Sequence, residues 1–213
     1  MDRPERLKQL SEARLYLCTD ARTKRGDLRE FLHECYASGV DIIQLRDKKL
    51  EARAEIAALE ILAEVAQEHG RMFAVNDRAD VALLVGADVF HVGQGDLSTQ
   101  QARRVLGSEV LIGRSNNSVA QFAASNADPG LDYAVIGPVW PTPTKPGRPA
   151  VGLDVVAECS EIAGERPWFA IGGISPDTVG QVRASGARGV VVVRALTEAA
   201  SIPEAAHALR GTE

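Results

Sequence analysis

Short β-branched runs recur eight times along the chain, each followed by a stretch with helical spacing, and this alternation restricts the fold more than any other feature of the sequence. The runs cover residues 14–18, 40–45, 72–75, 89–92, 110–112, 133–136, 168–171 and 190–193. Between the second and third lies the clearest helix, 52–69, where Ile56, Leu59, Ala63 and Ala66 recur at spacings of three and four. Nearly continuous Val and Ile strands suit a parallel sheet covered on both faces, with each helix as the right-handed crossover. Eight such units in 213 residues predict a compact TIM barrel, a single (β/α)8 domain of α/β class with parallel strands spanning residues 1–213. A doubly wound open sheet is the alternative. The barrel is preferred because polar residues follow many of the strands, as they do when the carboxyl ends share one active-site face.

Composition narrows the partners. With 24 Lys and Arg against 29 Asp and Glu, the net charge of -5 gives no general attraction to nucleic acid or to an anionic membrane. No apolar run approaches the ~18 residues that span a bilayer. Cys18, Cys35 and Cys159 are odd in number and form no C-x-x-C pair, so they read as buried small hydrophobes. These features predict a soluble, cytoplasmic protein. They leave a homo-oligomer open.

Five polar segments then stand out. Gln44-Leu45-Arg46-Asp47-Lys48 closes the second strand, and alternation puts Gln44, Arg46 and Lys48 on one side, two cations and an amide suited to a polyanion. Asn76-Asp77 and His91-Val92-Gly93-Gln94-Gly95-Asp96 bring two carboxylates, Asp77 and Asp96, to neighbouring strand ends, an arrangement that holds Mg2+ with waters and phosphate oxygens. A helix cap at Asp77 and a turn at Asp96 are the competing local roles. His91, inside a strand, reads as a packed, hydrogen-bonded histidine rather than a metal ligand. Gly113–Ser118 reads as a polar turn after the fifth strand. Residues 137–149, rich in proline and carrying Thr142, Thr144 and Lys145, form a long binding loop or rigid connector. Gly172-Gly173-Ile174-Ser175-Pro176 joins the seventh strand to a helix, with Ser175 as N-cap and Pro176 at N1, and the two glycines admit a close-lying phosphate.

In this order the motifs resemble the thiamin phosphate synthase family over nearly the whole chain, above all in the proline-rich loop ending Thr144-Lys145. The resemblance implies a transferase that joins a hydroxymethylpyrimidine diphosphate to a hydroxyethylthiazole phosphate and releases diphosphate with Mg2+ as cofactor. It further implies that Gln44, Arg46, Lys48, Asn76, Ser115 and Lys145 contact the pyrimidine diphosphate, with Arg46, Lys48 and Lys145 catalytic. Asp77 and Asp96 hold the metal. Thr142, Thr144, Gly172 and the backbone near Val192 and Val193 take the thiazole phosphate. Two positions depart from the family pattern: Asn117 stands where a histidine is common, and Arg194 where serine is. A related thiazole tautomerase would require that histidine and not the full cation and carboxylate set. A non-catalytic phosphometabolite-binding barrel would need no paired carboxylates.

Overall fold

The computed structural model describes residues 1–142, 147 and 149–211. Eight parallel strands, β1 (Leu15–Thr19), β2 (Ile42–Leu45), β3 (Met72–Asn76), β4 (Val89–Val92), β5 (Leu111–Asn116), β6 (Tyr133–Ile136), β7 (Trp168–Ile171) and β8 (Gly189–Val192), close a barrel in chain order. Followed once around, the strand pairings accumulate a stagger of eight residues, which sets the tilt of a (β/α)8 barrel. The surrounding helices are α1 (Arg3–Glu12), α2 (Leu28–Ala37), α3 (Ala52–Glu68), α4 (Ala79–Leu84), α5 (Thr99–Leu106), α6 (Val119–Ala127), α7 (Gly152–Ile162), α8 (Val179–Ala184), α9 (Arg194–Thr197) and α10 (Ile202–Arg210).

Strand parity separates two cores. Outward residues such as Leu17, Ile43, Phe90, Ile112 and Val190 meet the helices, while inward ones form the smaller interior cluster. The interior fills in layers drawn from alternate strands. Ile42, Val89, Tyr133 and Gly189 come from the even strands; above them stand Tyr16, Ala74, Gly113 and Phe169 from the odd strands. Small and large residues alternate because space demands it: a Cβ on Gly113 would lie 2.0 Å from the Tyr133 ring. Higher up the lining turns polar. Gln44 and His91 share a layer with Val135 and Val191, and Asn76 and Ser115 sit at the mouth beside Cys18 and Ile171.

The amino-terminal face is closed by α1. Leu10 enters the interior cluster, and Arg3 and Arg6 bind Asp132 and Asp88 at 2.6 and 2.8 Å. Those acids belong to a recurring pattern. Gly39-Val40-Asp41, Gly86-Ala87-Asp88 and Gly130-Leu131-Asp132 each precede an even strand, and Gly186-Ala187-Arg188 occupies the fourth such place. Each aspartate accepts backbone N–H groups from the preceding odd strand, as Asp132 does from Ile112 at 2.8 Å.

Two local expectations need correction. Gly113 to Asn116 belong to β5 rather than to a turn, because they pair with Tyr133 to Ile136 and point Ser115 into the mouth. Ser175 does not cap a helix: α8 starts at Val179 with Thr178 at its N-cap, and the Ser175 N–H donates to the Thr178 hydroxyl at 3.0 Å. Among the described residues, all three cysteines are buried free thiols.

Candidate active site

The carboxyl ends of the strands carry the polar groups. At β2 the strand stops at Leu45, and the alternation expected to keep Gln44, Arg46 and Lys48 together stops with it. Gln44 is 2% exposed on the barrel floor. Arg46 turns toward β1, whereas Lys48 reaches toward β3 and binds the Asp77 carboxylate at 2.7 Å. Asp77 adopts a left-handed backbone, φ 61°, at the centre of a tight turn in which Arg78 N–H donates to the Asn76 carbonyl at 2.7 Å. Non-glycine residues hold this conformation only where the surroundings impose it. Here the Asp77 N–H is also tied to the His91 carbonyl at 3.0 Å, which sets the Asp77 loop against the end of β4. Arg78, not Asp77, is the N-cap of α4.

Asp96 is exposed in the turn after β4, with Oδ2 accepting the Gly93 N–H at 2.7 Å. That turn is braced by Gln94, whose amide donates to the Ser115 carbonyl at 2.8 Å. Asn117 follows β5 and its N–H donates to Gln121 Oε1 at 2.9 Å, while Ser118 caps α6.

Below this rim a run of hydrogen bonds crosses the barrel. Ser115 Oγ meets His91 Nε2 at 2.8 Å, and His91 Nδ1 meets the Tyr133 hydroxyl at 2.9 Å. The Tyr133 and Tyr16 hydroxyls are 3.2 Å apart. Tyr16 donates to Gln44 Oε1 at 2.9 Å, and Gln44 Nε2 donates to Asn76 Oδ1 at 2.8 Å. Burial pushes both phenols well above the usual tyrosine range, so each keeps its hydrogen. His91 is therefore the packed, hydrogen-bonded residue expected. The two tyrosines were missed, although a Tyr at inward parity within an aliphatic strand is a readable sign of a polar contact inside a barrel.

Two hollows open above the floor. One, of about 650 Å3, lies over the ends of β5 to β8 and gathers Ser115, Thr142, Gly172, Val192 and Val193. The other, of about 680 Å3, lies between the ends of β1, β2 and β8 and is cationic: Arg22, Lys24, Arg25, Arg46, Lys49 and Arg194 outnumber Asp20, Asp47 and Glu198. Arg194 lines both hollows. Arg22 organises the β1 loop, fastened to Asp27 by two bonds of 2.6 and 2.7 Å and stacked 3.8 Å above the Phe31 ring.

The Gly172-Gly173 pair also lines the first of these hollows, and its conformation has a second cause in the packing of the chain itself. Both hold positive φ, 103° and 71°, and a Cβ would strike Pro138 at 2.4 Å and Trp140 at 2.7 Å. The close neighbour is the loop after β6. Thr144 and Lys145 lie outside the described residues. Among the described residues, no group of three or more His, Cys, Asp or Glu side chains could hold a metal. The Asp77 and Asp96 donor set is oxygen only and contributes two carboxylates, which fits Mg2+, an ion that keeps most of its sphere for water and substrate phosphate.

Comparison with known proteins agrees over the same span. Residues 15–196 match the family model of thiamine monophosphate synthase. The chain is 59% identical over 201 residues to the thiamine-phosphate synthase of Thermobifida fusca, covering 94% of this chain and 92% of that protein. It is 56% identical over 208 residues to that of Saccharopolyspora erythraea, covering 95% and 93%. Among solved structures, the thiamine phosphate pyrophosphorylase from Pyrococcus furiosus superposes with a TM-score of 0.82 at 30% identity, covering 94% of this chain and 95% of that one.

Proposed function

The chain belongs to the thiamine monophosphate synthase family, and from that premise we propose how its residues divide the work between two substrates. It is a transferase that condenses 4-amino-2-methyl-5-hydroxymethylpyrimidine diphosphate with 4-methyl-5-(2-hydroxyethyl)thiazole phosphate, giving thiamin phosphate and diphosphate. In our reading the pyrimidine diphosphate lies against Gln44, Arg46, Lys48, Asn76, Ser115 and Lys145. The thiazole phosphate lies against Thr142, Thr144, Gly172 and the backbone of Val192 and Val193. The observation that carries this division is the 650 Å3 hollow, in which Ser115 from the first set shares a wall with Thr142, Gly172, Val192 and Val193 from the second.

The reaction is a displacement at the pyrimidine methylene carbon. Its C–O bond to the diphosphate breaks ahead of attack by the thiazole nitrogen, so negative charge grows on the leaving group. Arg46, Lys48 and Lys145 stabilise that charge in place of water. Asp77 and Asp96 would hold Mg2+, which, when bound, neutralises diphosphate oxygens and makes the leaving group better. Lys48, already 2.7 Å from Asp77, keeps a cation beside that carboxylate. The phosphate contacts at the β6, β7 and β8 ends orient the thiazole, and fixing two ligands in one mouth removes several kcal/mol of entropic barrier. No side chain needs to shuttle a proton. No helix among the described residues is long and apolar enough to cross a membrane. In our reading the reaction takes place in the cytoplasm, where other steps of small-molecule biosynthesis run.

The test is direct. Purified protein with both substrates and Mg2+ should form thiamin phosphate and free diphosphate, detected by mass spectrometry. Absence of product under those conditions would overturn the reading.

A further inference from the structure

Ser115, His91, Tyr133, Tyr16, Gln44 and Asn76 are joined end to end by five contacts between 2.8 and 3.2 Å. They come from six different strands. A neutral imidazole donates from one nitrogen and accepts at the other, and a hydroxyl that gives its hydrogen to one neighbour can accept from the next. Along such a run each member passes one hydrogen onward, so only two complete orders exist. In one, Ser115 gives its hydrogen to His91 and the far end turns the Asn76 NH2 toward the mouth. In the other, every bond reverses: Ser115 is free to donate and Asn76 offers its carbonyl. The two ends always face the mouth with opposite character.

We propose that Tyr16, His91 and Tyr133 are positioning residues that couple the hydroxyl of Ser115 to the amide of Asn76, and so select a diphosphate ester whose ring carries a hydrogen-bond donor. This rests on the reading that the pyrimidine diphosphate lies against Ser115 and Asn76. A diphosphate offers only acceptors, so Ser115 must donate to it. His91 Nε2 then donates to Ser115, Tyr133 donates to His91 Nδ1, Tyr16 to Tyr133, the Gln44 amide to Tyr16 and the Asn76 amide to the Gln44 carbonyl. What remains at the mouth is the Asn76 carbonyl, which matches the exocyclic 4-amino group of the pyrimidine. The present atoms run in the other order, with Tyr16 donating to the Gln44 carbonyl. Reversal turns over the two amide groups, swings the hydroxyl hydrogens and exchanges the imidazole hydrogen from Nδ1 to Nε2 through solvent, with the members' positions unchanged. Cys18 Sγ, 3.4 Å from the present Gln44 Oε1, then accepts from the Gln44 amide.

The three coupling residues are separable from the contacts at the ends. Tyr133→Phe keeps the ring that packs on Gly113 and removes only the oxygen. We expect kcat/KM for the pyrimidine diphosphate to fall about ten-fold in Tyr133→Phe and in Tyr16→Phe, the size of one broken link in a buried run. The double variant should lose no more than either single one, because the run is already cut. KM for the thiazole phosphate should stay within about two-fold, and the preference for the 4-amino over a 4-oxo pyrimidine diphosphate should drop about ten-fold. His91→Gln, which retains a donor and an acceptor, should keep most of that preference, whereas His91→Leu should lose it. Additive losses in the double variant, equal losses for both substrates, or an unchanged preference in Tyr133→Phe would overturn the coupling. Wild-type protein that makes no thiamin phosphate would instead overturn the functional reading beneath it.

Discussion

Asp77 holds its left-handed backbone beside the end of β4, and Asn tolerates that conformation as readily as Asp does, so charge can be removed there without new strain. Asp77→Asn is expected to keep its melting temperature within about 2 °C and to lose roughly a hundred-fold in kcat, about 2.7 kcal/mol of charge stabilisation. Unchanged turnover across a Mg2+ titration would remove Asp77 from the metal. For Lys145→Ala the expected loss is in kcat more than in KM, because the leaving-group charge grows in the transition state; steady-state kinetics with each substrate varied in turn measures the split. The thiols make a simpler case. Burial pushes Cys35 up to about 12 and Cys159 up to about 11, so neither should react with a thiol reagent in the native protein at pH 8, while both should react after denaturation. At this scale the position of Gln44, Asn76 and Ser115 at the barrel mouth was legible because strand parity and motif order announce it. The divergence of Arg46 from Lys48 was not, since it depends on where β2 ends.

Among the elements, β5 departs most from its sequence signal. Gly113-Arg114-Ser115-Asn116 lacks the β-branched residues that mark strands, yet it pairs with β6 throughout. Its parity explains the composition. Gly113 yields to the Tyr133 ring and Ser115 enters the mouth, while Arg114 points outward to Thr99 and, at 3.5 Å, to Asp128. The acids before the even strands were equally readable as a recurring Gly-x-Asp, but their spacing of more than forty residues hides them from local pattern reading. Asp132 accepts from Ile112 N–H, Arg3 and Arg103, so Asp132→Ala should cost about 3–5 kcal/mol in urea unfolding with kcat unaltered, as a buried ion pair broken on one side does. Gly172→Ala combines a positive φ with a collision against Pro138 and should lower stability by roughly 2–4 kcal/mol.

For the molecule as a whole, one end of the barrel is built for stability and the other for chemistry. Helix α1 seals the first, with Leu10 1% exposed among the interior residues. Leu10→Ala should destabilise by about 3 kcal/mol and leave both KM values unchanged, which calorimetry and kinetics together would check. At the opposite end the two hollows meet at Arg194, so one of the two residues that depart from the family pattern stands where both substrates converge in our reading. Strand order, the parallel barrel and the polar residues that close β2, β3 and β4 were legible in the sequence alone, because periodicity and turn chemistry act over a few neighbouring residues, whereas the cations Arg22, Lys24 and Arg25 of the second hollow were not. Which polar groups touch was decided only by closure of the barrel. Tyr16 and Tyr133 meet across 117 residues of chain, and Gln44 meets Asn76 across 32, through a stagger that local periodicity does not contain.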